Sequence, residues 1–268
     1  MMRTPPAPRL NEPADVRAPP FRLFAWPHRL LVVGPSHASG AHRHHAAQLA
    51  CGLDGPVAYR GPGGETRADL VLIPPDAPHA HDAFGAAAVL YLDAEGDDWA
   101  RLRSTDDTTP RALPFRPRLR DLARELAQAP ASDTAGAARA FVDAIVPPSA
   151  TQPSPDDALV AEVRRLVRER LSGAVTLAAL AAAVHRSPSR LAHRFRDATG
   201  LPLRRYVLWC RLRAAVEAAM RGATLTEAAH AAGFADSAHL SRTFRANFGI
   251  APSFLFERGR LAVTFIDG

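Results

Sequence analysis

Residues 228–249, AAHAAGFADSAHLSRTFRANFG, predict one helix, a tight turn and a second helix. Gly233 can adopt the positive φ that ends a helix, and Asp236 is a favourable N-cap for the helix that follows. The alanines of the first helix are small enough to let another helix cross closely. The second helix carries Leu240 and Phe244 on one side and arginines on the other. This stretch therefore has the organisation of a helix-turn-helix unit.

The unit occurs twice, because residues 175–200, VTLAALAAAVHRSPSRLAHRFRDATG, align with residues 224–249 after a shift of 49 positions. In the first copy Ser187, followed by Pro188 at the first helical position, takes the place of the Asp236 cap. Matching residues inside the two second helices and at their ends are Leu191, Phe195, Arg196 and Gly200 in the first copy and Leu240, Phe244, Arg245 and Gly249 in the second.

The segment between the copies predicts a long helix, which Pro202 can start and Gly222 can end. Roughly 19 residues at about 1.5 Å each give a rod of about 28 Å. Successive major-groove faces of B-DNA lie about 34 Å apart. A rod of this length can set two reading helices into neighbouring turns on one side of a duplex. Helical hairpins packed for stability alone would not require this spacing.

The second helix of each unit has a polar face opposite its core residues, if each residue advances by about 100°. Arginine can pair with guanine or hold a phosphate, serine and histidine can donate to bases or backbone, and alanine permits close approach. For either helix alone, a solvated polar surface explains the pattern better, whereas the duplication favours contact with double-stranded DNA. The candidate DNA-binding residues are Ser189, Ala192, His193, Arg196, Ser237, Ala238, Ser241, Arg242 and Arg245.

Residues 158–257 resemble the DNA-binding domain of the AraC/XylS family of bacterial transcription regulators. The similar stretches are LAALAAAVHRSPSRLAHRFRDATGLPLRRYV, RLRAAVEAAMRG and GFADSAHLSRTFRANFGIAP. The resemblance implies two recognition helices in neighbouring major-groove segments, a homodimer, and contact with RNA polymerase if the protein is an activator. Ala192 stands where a family member often has a longer polar side chain, so the first helix is expected to rely more on Arg196 and on phosphate contacts.

The charge of the chain is divided unevenly, and all of its 33 basic side chains are arginine. Residues 158–268 hold 17 Arg against 8 acidic residues, whereas residues 1–157 hold 16 against 19. A basic half joined to an acidic half suggests that only the C-terminal half meets a polyanion, although a solvated Arg-rich surface would give the same count. No apolar run approaches the ~18–20 residues of a membrane span. Two distant cysteines match no metal or redox spacing and indicate a reducing cytoplasm.

The composition predicts an α+β chain in five parts. These are a disordered tail at 1–20, a cupin-like antiparallel β-barrel at 21–100, a helical dimerisation segment at 101–146, a linker at 147–157, and an all-α DNA-binding domain at 158–268. The short apolar runs of the barrel are LLVV, VAY, LVLI and AVLYL, separated by Gly, Pro and Asp. The helical patterns lie within 117–146.

Histidines of the N-terminal half form a candidate ligand or metal site. SHASGAHRHHAAQLACGLDG at 36–55 resembles the first cupin motif, with His42 and His44 in the HxH positions and Gln48 in place of the usual Glu. IPPDAPH resembles the second motif through His79, but Asp76 replaces its Gly. Three imidazoles and one amide oxygen could hold a divalent transition metal. Alternatively the same residues bind a small-molecule effector directly, or only line a pocket. His37, His45 and His81 are expected at the surface or the rim.

The most consistent interpretation is a cytoplasmic, non-enzymatic, sequence-specific DNA-binding transcription regulator. Its cupin-like domain would sense a small ligand, and no contact with a membrane is expected. Two alternatives stay open. One is a metal-dependent cupin enzyme with a DNA-binding tail, and the other is an architectural DNA binder without sequence specificity.

Overall fold

The computed structural model describes residues 21–104, 107–128, 134–147, 158–173, 175–256 and 261–266. The predicted disordered tail at 1–20 and nearly all of the predicted linker, from 148 onward, lie outside the described residues. Within the described part, no helix combines the length and the apolar character that crossing a bilayer requires. Both cysteines, Cys51 and Cys210, are buried and free.

The N-terminal domain consists of short strands joined by turns, as the short apolar runs predict. Its strands are β1 (Phe21–Trp26), β2 (Arg29–Pro35), β3 (Ser39–His42), β4 (Ala46–Gly52), β5 (Val57–Gly61), β6 (Gly64–Ala68), β7 (Leu70–Ile73), β8 (His79–His81), β9 (Ala86–Asp93) and β10 (Arg111–Ala112). Its helices are α1 (Asp97–Leu102), α2 (Pro117–Gln128) and α3 (Thr134–Ile145). The segment from 101 to 146 thus supplies one strand as well as two full helices.

The strands pair as two sheets. The larger sheet has the order β10-β7-β4-β9-β2-β1-β11, and the smaller sheet has the order β3-β8-β5-β6. The larger sheet packs α2 and α3 on one face, through Phe24, Leu31, Leu122 and Phe141. A second cluster, which includes Tyr59, lies between the two sheets. The domain is therefore three layers: helices, large sheet, small sheet.

The strands of the predicted cupin-like β-barrel do not close on themselves in the part of the chain that the structure describes. A barrel closes when the two outermost strands pair with each other. Here the outermost strands of the larger sheet are β10 and β11, and each pairs with its neighbour on one side only. The smaller sheet lies across the larger one as a separate layer.

The prediction of an all-α C-terminal domain was also incomplete. Residues Leu261–Phe265 form a strand, β11, that pairs in parallel with β1 of the N-terminal domain. Ile266, the next residue, is buried in the core of that domain, beside the cluster that contains Trp26. The short apolar run LAVTFI completes the edge of a sheet whose other strands all end at or before Ala112, far earlier in the chain, which local patterning cannot reveal.

The C-terminal domain otherwise contains the two predicted helix-turn-helix units. Its helices are α4 (Ala158–Glu169), α5 (Leu177–Ala183), α6 (Pro188–Thr199), α7 (Leu203–Met220), α8 (Leu225–Ala231), α9 (Ser237–Phe248) and α10 (Pro252–Phe256). The first unit is α5 with α6, the second is α8 with α9, and α7 joins them.

The helix boundaries are set by the predicted local signals. The side chain of Ser187 accepts a hydrogen bond from the N–H of Arg190, and that of Asp236 accepts one from His239. Gly233 has φ +76°, and a Cβ there would collide with the carbonyl oxygen of Leu171. Only glycine combines the left-handed conformation with this close approach, so the turn after α8 depends on it.

The linker helix α7 serves two hydrophobic cores. Its first half, with Tyr206 and Val207, packs with α4, α5 and α6. Its second half, with Trp209 and Leu212, packs with α8 and α9, and Ala46 of the N-terminal domain joins that cluster. Eighteen helical residues give a rod of about 27 Å, in agreement with the length expected from the sequence.

We expect Ile266→Ala to lower the free energy of unfolding by about 2–4 kcal/mol, because it removes a buried aliphatic side chain beneath the large sheet. Ile266→Val is the matched control and should cost only about 0.5–1.5 kcal/mol. Urea unfolding followed by the fluorescence of Trp26 and the other tryptophans measures both values. Equal stability of wild type and Ile266→Ala would contradict the position of β11 in the sheet.

Candidate DNA-binding face and interdomain cavity

The two second helices present their polar residues as the helical period requires. In α6, Ser189, His193 and Arg196 are exposed and Ala192 is half-buried, while Leu191 and Phe195 are buried. His193 lies 3.3 Å from the carboxylate of Asp197, one turn further along the same exposed surface. The candidate residues of the first unit therefore share one solvent-facing surface.

The corresponding surface of α9 has the same arrangement. Ala238, Arg242 and Arg245 are exposed, whereas Ser237 and Ser241 are half-buried. The core side is held by buried Leu240 and Phe244, which pack with α7 and α8 residues in the second core. Two arginines one turn apart on an exposed helix face can reach a phosphate or a base edge.

The second unit, in addition, docks on the N-terminal domain. Phe248, the last residue of α9, stacks on His44 with ring centroids 6.0 Å apart and meets the edge of Tyr91 at 5.8 Å. Gly249 follows with φ +71°, and a Cβ there would lie 2.9 Å from Nδ1 of His42. The backbone at the end of α9 therefore rests directly on the histidines of the N-terminal domain.

Two arginines of α7 reinforce this docking. Arg205 forms an ion pair with Asp76, and Arg213 forms an ion pair with Asp93 and also donates to the carbonyl oxygen of Pro27. Both arginines are 39–41% exposed at the side chain. Each ion pair is partly solvated and individually weak. The two pairs therefore fix the position of α7 on the N-terminal domain but add little to the free energy of unfolding.

A cavity of about 120 Å³ lies between the two domains. The N-terminal domain contributes aromatic, aliphatic and a few polar residues, among them Phe21, Tyr59, His42 and Gln48. The C-terminal domain contributes Val216, Phe244, Phe248, Ile250, Phe254 and Phe256. One wall of the cavity is therefore formed by the core side of the second recognition helix and the residues that follow it.

The histidines His42, His44 and His79 come together beside this cavity. Antiparallel pairing of β3 with β8 places His42 opposite His79, with ring centroids 4.1 Å apart. The ring of His44 lies 5.0 Å from that of His79. One nitrogen from each of the three rings lies within 4.8 Å of the others. Gln48 completes the group, because its amide contacts Nε2 of His44 at 2.9 Å.

Hydrogen bonds to backbone carbonyls fix the orientation of the three rings. Nδ1 of His42 donates to Gly40, Nδ1 of His44 to Ala46 and Nδ1 of His79 to Ala77, at 2.8, 3.0 and 2.9 Å. A carbonyl oxygen only accepts, so Nδ1 carries the proton in each ring. In the neutral imidazole, Nε2 is then left with its lone pair.

Burial keeps these imidazoles uncharged. Desolvation lowers the pKa of His44 to about 4 and that of His79 to about 2, and it lowers the pKa of His42 as well. The mutual repulsion of the three rings adds to the effect for His44 and His79. Three neutral nitrogen donors converge in one place.

His45 lies inside the structure, which corrects its expected position at the surface or rim. Its Nδ1 donates to Asp76 at 3.1 Å and its Nε2 to Glu95 at 2.5 Å. Burial alone would lower the pKa of His45, but the two carboxylates outweigh it and raise the pKa to about 9. Asp76 therefore contacts both Arg205 and the buried ring of His45. No local pattern in the sequence indicates the contacts of His45, because Asp76 and Glu95 are distant from it in the chain.

Asp76, which stands where the second cupin motif has glycine, keeps the backbone conformation that glycine would permit. Its φ is +61°, and its N–H donates to the carbonyl oxygen of His44 at 2.8 Å. Aspartate is among the residues that tolerate this left-handed region. The substitution adds a carboxylate that glycine lacks, and this carboxylate holds both Arg205 and His45.

Comparison with known proteins relates both domains to solved structures. A family model described as a helix-turn-helix domain matches residues 180–258. An apo variant of ToxT from Vibrio cholerae has a TM-score of 0.58 at 12% identity, over 85% of this chain and 97% of that chain. Wild-type ToxT from Vibrio cholerae with a bound unsaturated fatty acid also has a TM-score of 0.58 at 12% identity, over 86% of this chain and 95% of that chain.

A transcriptional regulator of Chromobacterium violaceum, described by its AraC-type DNA-binding domain, has a TM-score of 0.36 at 22% identity, over 38% of this chain and 95% of that chain. No curated protein sequence matches the chain. Residues 180–258 therefore form a helix-turn-helix domain, within a chain that has the two-domain fold of ToxT.

Proposed function

We propose that the chain is a sequence-specific DNA-binding transcription regulator whose DNA affinity is set by a small ligand bound between its domains. The observation that carries the proposal is the shared cavity. Phe244 and Phe248 belong to the second recognition helix and also line the cavity, while Arg242 and Arg245 of the same helix face solvent. A ligand in the cavity and a duplex on the surface would thus contact opposite sides of one helix.

The effector we propose is a small, mainly apolar molecule. Most of the cavity wall is aromatic or aliphatic, and the C-terminal domain contributes only apolar side chains to it. The volume of about 120 Å³ is close to the ~150 Å³ of an apolar cavity that admits benzene. A structure of ToxT, whose fold the chain shares, holds an unsaturated fatty acid, which supports a ligand with an apolar body.

The coupling follows from the docking of α9. A ligand that fits the cavity only when Phe248 is seated on His44 and Tyr91 would favour the docked arrangement, and a ligand that displaces Phe248 would oppose it. A ligand shifts this equilibrium only by its difference in affinity for the two arrangements. Because α7 joins the two units, the position of the second unit also sets the spacing of the two recognition helices on DNA.

The proposal includes a homodimer that acts in the cytoplasm. The outward side of α2 and α3 carries exposed Asp121, Arg124, Glu125, Arg139 and Asp143, and opposite charges on one surface suit self-association. Contact with RNA polymerase is part of the proposal if the regulator activates transcription. Sedimentation of the purified chain with and without DNA measures the oligomeric state.

The experiment that tests sequence-specific regulation is selection of bound duplexes from random DNA by the full-length protein. We expect one enriched motif with two blocks about one helical turn, or ~10 base pairs, apart. Binding to that motif should resist unrelated competitor DNA. Enrichment without a motif would indicate an architectural DNA binder instead.

Arg242→Ala should cost roughly 1–3 kcal/mol of binding free energy and relax the preference at one or two base pairs, because Arg242 projects farthest from the buried side of α9. Arg245→Ala is the matched variant one turn away. It should weaken all sequences similarly and make the dependence of affinity on salt shallower, because fewer counterions are released. Fluorescence anisotropy on the selected motif and on single-base variants measures both. If the two variants weaken every sequence equally, neither arginine reads bases.

Filling the cavity should abolish the ligand response and leave DNA binding in place. Ala87 lines the cavity and is 3% exposed, so Ala87→Leu should exclude a small fluorescent apolar anion such as 2-naphthoate. Ala182→Leu, on the exposed surface of α5, adds the same volume elsewhere and serves as the control. Fluorescence titration should show at least a tenfold weaker affinity for Ala87→Leu only. Equal affinity in all three proteins would place the ligand outside the cavity.

A further inference from the structure

We infer that His42, His44 and His79 bind one divalent transition-metal ion, and that the open coordination position of this ion accepts an anionic group of the effector. The metal site follows from the geometry of the three histidines alone. The binding of an anionic group to the ion rests on the proposed function, because it adds an anionic head to the apolar ligand of the interdomain cavity.

The three rings are already oriented as metal ligands. Each Nδ1 proton is held by a backbone carbonyl, so each Nε2 offers a lone pair. Metal-binding histidines in proteins have this arrangement, in which the second nitrogen donates to a carbonyl or a carboxylate. Ligands around a tetrahedral zinc ion with Zn–N bonds of about 2.0–2.1 Å lie roughly 3.3 Å apart. One nitrogen of each ring already lies within 4.8 Å of the others, so the rings need to move together by only about 1 Å to reach the spacing of zinc ligands.

One of these atoms has no partner without a cation. Nε2 of His79 is buried and has no hydrogen-bond partner among the described residues. A buried acceptor without a donor is destabilising. Nε2 of His44 already meets the side-chain amide of Gln48 at 2.9 Å, which holds that ring beside His79. A cation between the three rings would satisfy the lone pair of His79.

The neutral charge of the histidine ligands explains why a bound metal ion should in turn bind an anion. The three imidazoles are all neutral ligands, so the ion would keep its full positive charge in a buried place, and a charge there requires a partner. Three histidines with one open position form a known coordination of zinc that accepts water or an exogenous ligand. His42 and Gln48 belong both to the histidine group and to the wall of the cavity.

The cavity offers an anion no other cation. Among the described residues, its lining contains no arginine, and the chain contains no lysine. A ligand with a carboxylate and an apolar body would therefore place its tail among the aromatic residues and its carboxylate on the metal ion.

Metal binding would also act on the second recognition helix. Phe248 stacks on the ring of His44, and the backbone of Gly249 lies against the ring of His42. Rings that move inward by about 1 Å to reach one ion would shift the surface on which α9 ends. The metal site thus lies at the contact through which the cavity communicates with the DNA-binding face.

The test is titration of the full-length chain, purified without a His tag, with Co²⁺ and then with Zn²⁺. We expect one Co²⁺ per chain, with the intense visible absorption of a four-coordinate ion, and its displacement by Zn²⁺. His79→Ala should weaken Co²⁺ binding by at least about 100-fold, beyond the 10–100-fold typical of a lost supporting contact. His230→Ala, an exposed histidine on α8, should bind like the wild type. No stoichiometric binding, or equal binding by His79→Ala, overturns the metal site.

A folding control and an anion probe complete the experiment. If circular dichroism shows that His79→Ala does not fold, His42→Ala, which changes the ring at the cavity side, takes its place with the same expectation. Octanoate added to the Co²⁺ form should change the visible spectrum saturably. Octanoate that binds equally well with and without metal overturns the anionic role of the ion. Both readouts are free of DNA, so their failure leaves the DNA-binding function untouched, and failure of the DNA selection leaves the metal site untouched.

Discussion

The contact between Phe248 and His44 is the constraint on which the arrangement of the molecule depends. Phe248 ends the second recognition helix, and His44 lies at the start of a central strand of the large sheet. With Phe248 in place, the core of the second helix-turn-helix unit continues into Ala46 and Tyr91 of the N-terminal domain. The interdomain cavity lies beside this contact, and Phe248 forms part of its wall.

The two sides of α9 have different surroundings because of this contact. Its buried side faces a cavity and a group of histidines, and its exposed side carries the arginines. In the first unit the corresponding helix, α6, packs against other helices of its own domain, with Phe195 against Tyr206. The duplicated motif has therefore diverged in what it packs against, while its caps and its polar face stayed alike.

Sequence alone was sufficient wherever structure is decided by neighbours in the chain. The caps at Ser187 and Asp236, the turn at Gly233 and the length of α7 follow from residues within a few positions of one another, and all were predicted. The pairing of β3 with β8 was anticipated only through a motif, since His42 and His79 are 37 residues apart. The two-sheet arrangement and the ion pairs of His45 depend on distant partners with no local pattern, so they required coordinates.

The parallel strand β11 has a consequence for how the protein is made. One edge of β1 stays open until β11 has been synthesised, and β11 follows both helix-turn-helix units in the chain. An open sheet edge is a place where another chain can pair, and domains commonly fold in order as they emerge. The N-terminal sheet is therefore completed only after the helix-turn-helix units have been made, so a newly made chain acquires its two finished domains together.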